Sequence, residues 1–396
     1  MTMGKHVSAA LLLCLNSYLF FMCSTNWNAG LSITAGLACL AILGVYGWKK
    51  QKIRLPQKEF LAVYIFFAAM VIAASYLTGN PVNGKKALTL FSYSLPLWIF
   101  YLLLVQCPEG LQRLWAGSLA GSWVLDGYGI KDFLAHGLTE RINGPTASPN
   151  TYAMVWEVLL PWLLYGTVQS WQEKKMGRFA LLLATSLVST GLLLGSFSRG
   201  GIVGFFIGGI VVLLTYLLQR KGWGLKRCVC ALFLCSFVLT GILFKTASFY
   251  DTRSYDGERK LLWTAAYQMW SDHKVSGVGI TTWNSVYRQK YIARGAREPN
   301  LALPHNNIAN FFSATGTLGG IGYLVFAGYT FYFLLRKRYH DSQNGLLLVM
   351  LWIHTAFYIH GMVDNTMFGK YGLRLYFAFW GMTLASIYDD KKLRES

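Results

Sequence analysis

The sequence predicts an all-α integral membrane protein of about twelve transmembrane helices, one polytopic domain over residues 1–396 with a single long outer loop. Three observations predict it. Of the 396 residues 54% are hydrophobic and only 13% charged, which is not the balance of a water-solvated domain. Apolar stretches of the roughly 20 residues needed to cross a bilayer recur along the chain. Lys and Arg gather on every second connection.

The spans open near Val7, Gly30, Phe60, Ala87, Leu114, Tyr152, Phe179, Gly200, Cys228, Leu318, Leu346 and Gly372. The run from Val7 to Ser24 lacks an Ala-x-Ala cleavage pattern, and Met22 is too bulky before Cys23 for a lipoprotein site, so it is expected to remain as the first helix. With the N-terminus inside, the inner segments hold twenty of the 36 Lys and Arg residues, in clusters at Lys49, Lys50 and Lys52, at Lys174, Lys175 and Arg178, and at Lys391, Lys392 and Arg394 among others. The short outer segments hold seven. Both termini are therefore expected in the cytoplasm. The net charge of +19 then reflects topology and phospholipid contact; no basic stripe interleaved with stacking aromatics points to nucleic acid. The seven cysteines, Cys235 included, fall in or beside apolar runs or on the inner side, and Cys228-x-Cys230 lacks zinc-ligand spacing, so they read as apolar fillers.

Two outer segments depart from short connections. Lys131 to Asn150 contains Gly144, Pro145 and Pro149, which enforce a bent path. The second, residues 247–304, is too long for a plain connection and rich in aromatics. Within it Leu262, Ala266 and Met269 recur at helical spacing with Trp263 and Trp270 beside them, an amphipathic helix lying over the membrane or the bundle.

Arg199 lies in Ser198-Arg199-Gly200-Gly201, between two apolar runs on the charge-poor side. A buried cation there costs about 2.5–3.5 kcal/mol at a helix centre, less near an interface, and calls for an anion. Gly200 and Gly201 read as removing bulk so that a ligand can approach the helix start, where unpaired N–H groups favour negative charge. Lipid phosphate is the alternative partner. Arg259, at the head of the amphipathic helix, and Arg141, beside Pro145 and Pro149, have solvent as theirs. His305 opens Pro304-His305-Asn306-Asn307 where the long loop returns to a glycine-rich helix. An imidazole at that mouth can take a proton from a hydroxyl, or simply bond to backbone at the helix start. His354, His360 and Asp364 read as interhelical hydrogen bonders; Asp126 and Glu157 are acids inside apolar runs, functional or paired within the bundle. No Asp-x-Asp, His-Glu-x-x-His, Walker or Gly-x-Ser-x-Gly pattern occurs, so neither a metal nor another cofactor is expected. Arginine forks match phosphate, and outward-facing ones on a membrane protein most naturally meet a lipid-linked diphosphate.

Ser198-Arg199-Gly200-Gly201, Arg259 followed by Trp263 and Gly277-Val278-Gly279, and Pro304-His305-Asn306 ahead of the glycine-spaced helix together resemble the O-antigen ligase and polymerase superfamily. Arg141-x-x-Gly144 with Pro149-Asn150 is similar to its earlier outer loop, so the likeness covers residues 141–325. The resemblance implies a GT-C-like, metal-independent, inverting glycosyltransferase on the periplasmic face of a bacterial inner membrane. Its donor would be a glycan on undecaprenyl diphosphate and its acceptor a lipid A-core sugar or another glycan. Arg199 and Arg259 would hold the diphosphate, His305 would activate the acceptor, and Arg141 and Asn306 would contact substrate.

The motifs leave the acceptor open: a polymerase would extend another lipid-linked glycan, and a protein O-glycosyltransferase would use Ser or Thr. Modest length and the one long loop favour a ligase. A transporter or flippase for an anionic lipid would also use arginines, but predicts polar residues through several helices and an inverted repeat, neither of which is clear here.

Overall fold

The computed structural model describes residues 5–24, 28–48, 53–146, 148–232, 255–293 and 303–394, with the single positions 234, 238 and 296. Lys49, Lys50, Lys52, Cys235, the opening of the long loop at 247–254 and most of 294–302 lie outside the described residues, as do the side chains of Lys5, Lys391, Lys392 and Arg394. The described chain is helical, without a strand: α1 (Lys5–Cys23), α2 (Asn28–Ile42), α3 (Lys58–Leu77), α4 (Pro81–Ser92), α5 (Leu95–Gln106), α6 (Trp115–His136), α7 (Pro149–Gln172), α8 (Met176–Gly195), α9 (Arg199–Arg220), α10 (225–232), α11 (Tyr255–Asp272), a short α12 (Trp283–Val286), α13 (Asn307–His340), α14 (Gly345–His360) and α15 (Lys370–Arg394).

Among the described residues six helical stretches are long and apolar enough to cross a membrane: Asn28–Gly47, Lys58–Leu77, Pro81–Gln106, Met176–Gly195, Arg199–Arg220 and Asn307–His340. Ser8–Cys23 and Gly345–His360 are apolar but shorter. The runs read from near Leu114 and Tyr152 form α6 and α7, outside that set. The reason is polarity: α6 carries Asp126, Lys131 and Asp132, and α7 carries Glu157.

Glycine sets the approach of the helices that form the site. Gly200, Gly204 and Gly208 recur every four residues on α9 and face α14; a Cβ at Gly204 would stand 2.6 Å from the Ala356 carbonyl oxygen, and one at Gly208 2.5 Å from the Trp352 ring. Small residues at this spacing let two apolar helices pack backbone to backbone. Trp352 Nε1 then donates to the Phe205 carbonyl at 2.7 Å. This contact carries the start of α9 beside the end of α14.

Helix α13 is broken at Gly316, with φ 63° and ψ −165°. The carbonyls freed by the kink are taken by the Gly277-Val278-Gly279 turn: Val278 N donates to Ser313 O and Gly279 N to Ala314 O, each at 2.9 Å, while Thr317 N donates to Lys274 O at 2.7 Å. A Cβ on Gly277 would lie 2.5 Å from the Ala314 carbonyl carbon, so glycine is required there twice over, by contact and by its φ of +68°. Trp283 Nε1 to Ser313 Oγ (2.8 Å) and Trp270 Nε1 to Thr317 Oγ1 (3.0 Å) complete the joint. They pin α11 across α13 with Leu262, Ala266 and Met269 as its buried face.

Candidate active site

The turn before α9 and the turn before α13 share a backbone feature. Phe197 and His305 are non-glycine residues in the left-handed region, with φ of 47° and 49°. That conformation is uncommon for side chains with a Cβ and persists only where the surroundings hold it. At His305 the hold is visible. Trp263 Nε1 donates to the Pro304 carbonyl at 2.9 Å. The Asn306 carboxamide caps α13 by accepting from Ala309 N at 3.0 Å and donates to Met362 O at 2.8 Å. Asn307 N donates to Gly361 O at 2.7 Å, and Asn307 Nδ2 to Thr366 Oγ1 at 2.8 Å. The segment carrying His305 is thus fastened to the turn after α14.

That turn supplies Asp364. His305 Nδ1 lies 3.1 Å from Asp364 Oδ1, and the His305 side chain is one-third exposed at 33%. Asp364 Oδ1 also accepts from Asn365 N at 2.7 Å, and its Oδ2 accepts from Asn150 Nδ2 at 2.6 Å. Arg141 completes the ring: Nη2 donates to Asn150 Oδ1 at 2.6 Å and Nε to Ser196 O at 2.8 Å, two residues before Ser198. Burial alone would raise the Asp364 pKa, but the hydrogen bond with His305, the charges of His360 and His305, and the Asn365 N–H hold this carboxyl well below the usual carboxylate range. An ionised Asp364 is an acceptor only, so a neutral His305 in this contact presents Nδ1–H to it and keeps the lone pair on Nε2.

Beneath Asp364 lies a second pair. His360 Nε2 is 3.9 Å from Asp364 Oδ2, and His360 Nδ1 is 2.8 Å from Glu157 Oε1. Glu157 is 0% and His360 1% exposed. The pair explains Gly200 and Gly201 differently from the sequence reading. A Cβ at Gly200 would meet His360 Cδ2 at 2.5 Å, and one at Gly201 would meet Glu157 Oε1 at 2.9 Å. The space these glycines leave is taken by the buried pair, not kept for a ligand.

Arg199 and Arg259 lie near this network, Arg199 beside the Gly200 that packs on His360. Arg199 is the first residue of α9, partly buried, after Ser198 caps the helix through Gly201 N at 3.4 Å. Arg259 is partly buried on the first turns of α11, and its charge acts on His360. Arg199, Arg259, His305 and Arg141 therefore meet at one end of the bundle. Asn306 is next to His305, with its amide engaged in capping α13. Asp126 lies elsewhere, accepting from Ser189 Oγ at 3.0 and 3.1 Å. His354 bridges Tyr376 and Ala327 O. A cavity of about 620 Å³ lies at the opposite ends of these helices, among Arg113, Lys175, Arg178 and Asp341. Among the described residues no group of three or more His, Cys, Asp or Glu side chains could hold a metal ion.

Sequence reasoning passed over Asp364 as a partner of His305, and over the pairing of His360 with Glu157. One signal was available: His360 and Asp364 stand four residues apart at a helix end, close enough to share a site.

The fold and the site define a multi-pass helical membrane protein with a cationic, histidine-bearing polar centre at one end of its bundle. Residues 184–324 match a family model described as O-antigen ligase, so this stretch is similar to the O-antigen ligase superfamily. No curated protein matches the chain. The matched stretch contains Arg199, Arg259 and His305, whereas Arg141, Asn150, Glu157, His360 and Asp364 lie outside it.

Proposed function

We propose that this protein is an inverting glycosyltransferase of the O-antigen ligase type, with about twelve spans in a GT-C-like arrangement. Both termini would be cytoplasmic and the site would face the periplasm of a bacterial inner membrane. The donor is a glycan on undecaprenyl diphosphate, and the favoured acceptor is a hydroxyl of lipid A-core. The observation that carries the reading is the 3.1 Å contact of His305 Nδ1 with the Asp364 carboxylate, which leaves Nε2 of the neutral ring as a proton acceptor at a partly exposed position, at the end of the bundle where α9 begins with Arg199 and α11 carries Arg259.

The acceptor oxygen attacks the anomeric carbon from the face opposite the diphosphate. Its proton passes to His305 Nε2 as the new carbon–oxygen bond forms. The bond from the anomeric carbon to the diphosphate oxygen breaks, and its electron pair leaves on the diphosphate. Each arginine bond to the departing oxygens contributes about 1.5–3 kcal/mol, so guanidinium groups supply the charge that a divalent ion would otherwise bring. The imidazolium that forms rests against Asp364 until it returns its proton to water or to the diphosphate. Arg141, through Asn150, keeps Asp364 in place.

The test is turnover of a labelled lipid-linked glycan by purified protein. Product on added lipid A-core supports a ligase. Product only from donor joined to donor moves the reading to a polymerase, and product on Ser or Thr to a protein O-glycosyltransferase. Donor flipping across vesicles without any new glycosidic bond means a transporter.

A further inference from the structure

The cavity at the far ends of the helices takes no part in the reaction above. Helix α7 carries Asn150 at its site end and Gln169 at the cavity, and α14 starts at the cavity under its Asn344 cap and ends at His360. The volume of about 620 Å³ falls within the roughly 300–1,000 Å³ usual for ligand pockets.

Six charged side chains among the described residues line it, three cations and three carboxylates. Half of them are engaged. Lys175 Nζ pairs with Glu173 Oε2 at 2.7 Å, and Asp341 Oδ1 accepts from Asn344 N at 3.3 Å where α14 begins. Arg178, Arg113 and Glu109 remain, and among the described residues neither Arg113 nor Glu109 has an ion-pair partner. Arg178 is seated but not satisfied. Its guanidinium lies over the Trp115 ring, 5.2 Å from the centroid, and Trp115 is stacked on Trp162 at 3.7 Å. Arg178 Nη2 is nevertheless shut off from solvent, with no hydrogen-bond partner among the described residues. A desolvated guanidinium N–H calls for an acceptor, and phosphate oxygens are the acceptors that an arginine fork matches.

The carboxylates limit what else the ligand carries. A nucleotide or a diphosphate would bring several negative charges to a wall holding as many carboxylates as cations, and like charges brought together cost affinity. A single phosphate with an ammonium group a few atoms away meets the arginines with one end and Glu109 with the other. The side-chain amides of Gln112, Gln169 and Gln343 offer hydrogen bonds between them. The exposed Trp171, packed on Phe179 at 5.0 Å, is the kind of ring found at head-group depth in a bilayer.

We propose that this cavity is a binding site for a phosphoethanolamine group, a phosphate diester and an ammonium joined by two carbons. Phosphatidylethanolamine presents that group on a lipid, and glycerophosphoethanolamine presents it in solution. The site is independent of glycan transfer, and a protein that transfers nothing would still carry it.

Melting of the full chain in detergent, read as the rise in melting temperature with each titrant, tests it. Phosphatidylethanolamine should act at a concentration at least about tenfold below that of phosphatidylglycerol, which has the phosphate without the ammonium; one charge-assisted hydrogen bond supplies about that ratio. Glycerophosphoethanolamine decides the source: a comparable rise makes the head group sufficient, and none makes the lipid the ligand, the site standing in both cases. Arg178→Gln should abolish the rise above its own unliganded melting temperature. Glu109→Gln, at an exposed position, should keep the fold and erase the preference over phosphatidylglycerol. Arg220→Gln, which removes a cation resting on Tyr216 outside the cavity, should change neither. Equal rises from the two lipids, no rise with any titrant, a rise that survives Arg178→Gln, or a preference kept by Glu109→Gln would overturn the assignment.

Discussion

His305 Nδ1 sits 3.1 Å from Asp364 Oδ1, across 59 residues of sequence and between two different turns of the bundle. The contact fixes both the ring and its tautomer. In this arrangement Asp364 is a positioning residue for the base. Asp364→Asn should lower kcat by up to about 10⁴, as when such a carboxylate becomes an amide and stabilises the wrong tautomer, with little change in donor KM. Asp364→Glu should restore part of the rate. A kcat near that of the unaltered protein in the Asn variant would remove Asp364 from the account.

Acidification should switch transfer off along a single-proton limb, because a protonated imidazole cannot accept the hydroxyl proton. Asp364 does not contribute to that limb. Its folded pKa is depressed, so the stability it provides is present above the ordinary carboxylate range and is lost only as pH falls through the depressed folded value. A rate profile at graded pH, taken with circular dichroism of the same samples, checks this. Loss of helix signal in step with loss of rate would mean that acid unfolds the site.

Arg199→Lys and Arg259→Lys should each leave the protein inserted and folded yet lose most transfer, since lysine offers a point charge without the planar two-pronged fork. Donor KM and kcat, measured separately, show whether ground-state or transition-state contact is lost. Full activity in both variants would return these arginines to lipid phosphate and solvent.

Gly200→Val should destabilise the protein by about 1–3 kcal/mol through overpacking, because even a Cβ there would stand 2.5 Å from His360 Cδ2. The melting temperature in detergent should fall. Gly36→Ala, on α2 with open space around it, is the matched control and should leave melting unchanged. Equal melting of both variants would show that the buried His360–Glu157 pair yields easily.

Much of this architecture is legible in the sequence because apolar runs and helical spacing are local signals. Leu262, Ala266 and Met269 mark the buried face of α11 by spacing alone, and Arg199 stands out as a cation between two apolar runs. The partners of His305 are not legible in that way. Asp364 and Asn150 are 214 residues apart and meet through the chain's return path, which no periodicity encodes. Gly200 and Gly201 illustrate the limit: sequence identifies small residues beside an arginine but not whether ligand or neighbouring side chain fills the room, and here it is His360 and Glu157.

The central claim is that His305 is the base of a glycan transfer whose donor is held by other residues. Single-turnover transfer from a labelled lipid-linked glycan, with donor binding measured on the same samples, tests it most directly. His305→Ala should bind donor as the unaltered protein does and form no glycosidic bond, with or without a metal chelator. Near-normal turnover in His305→Ala would contradict the account.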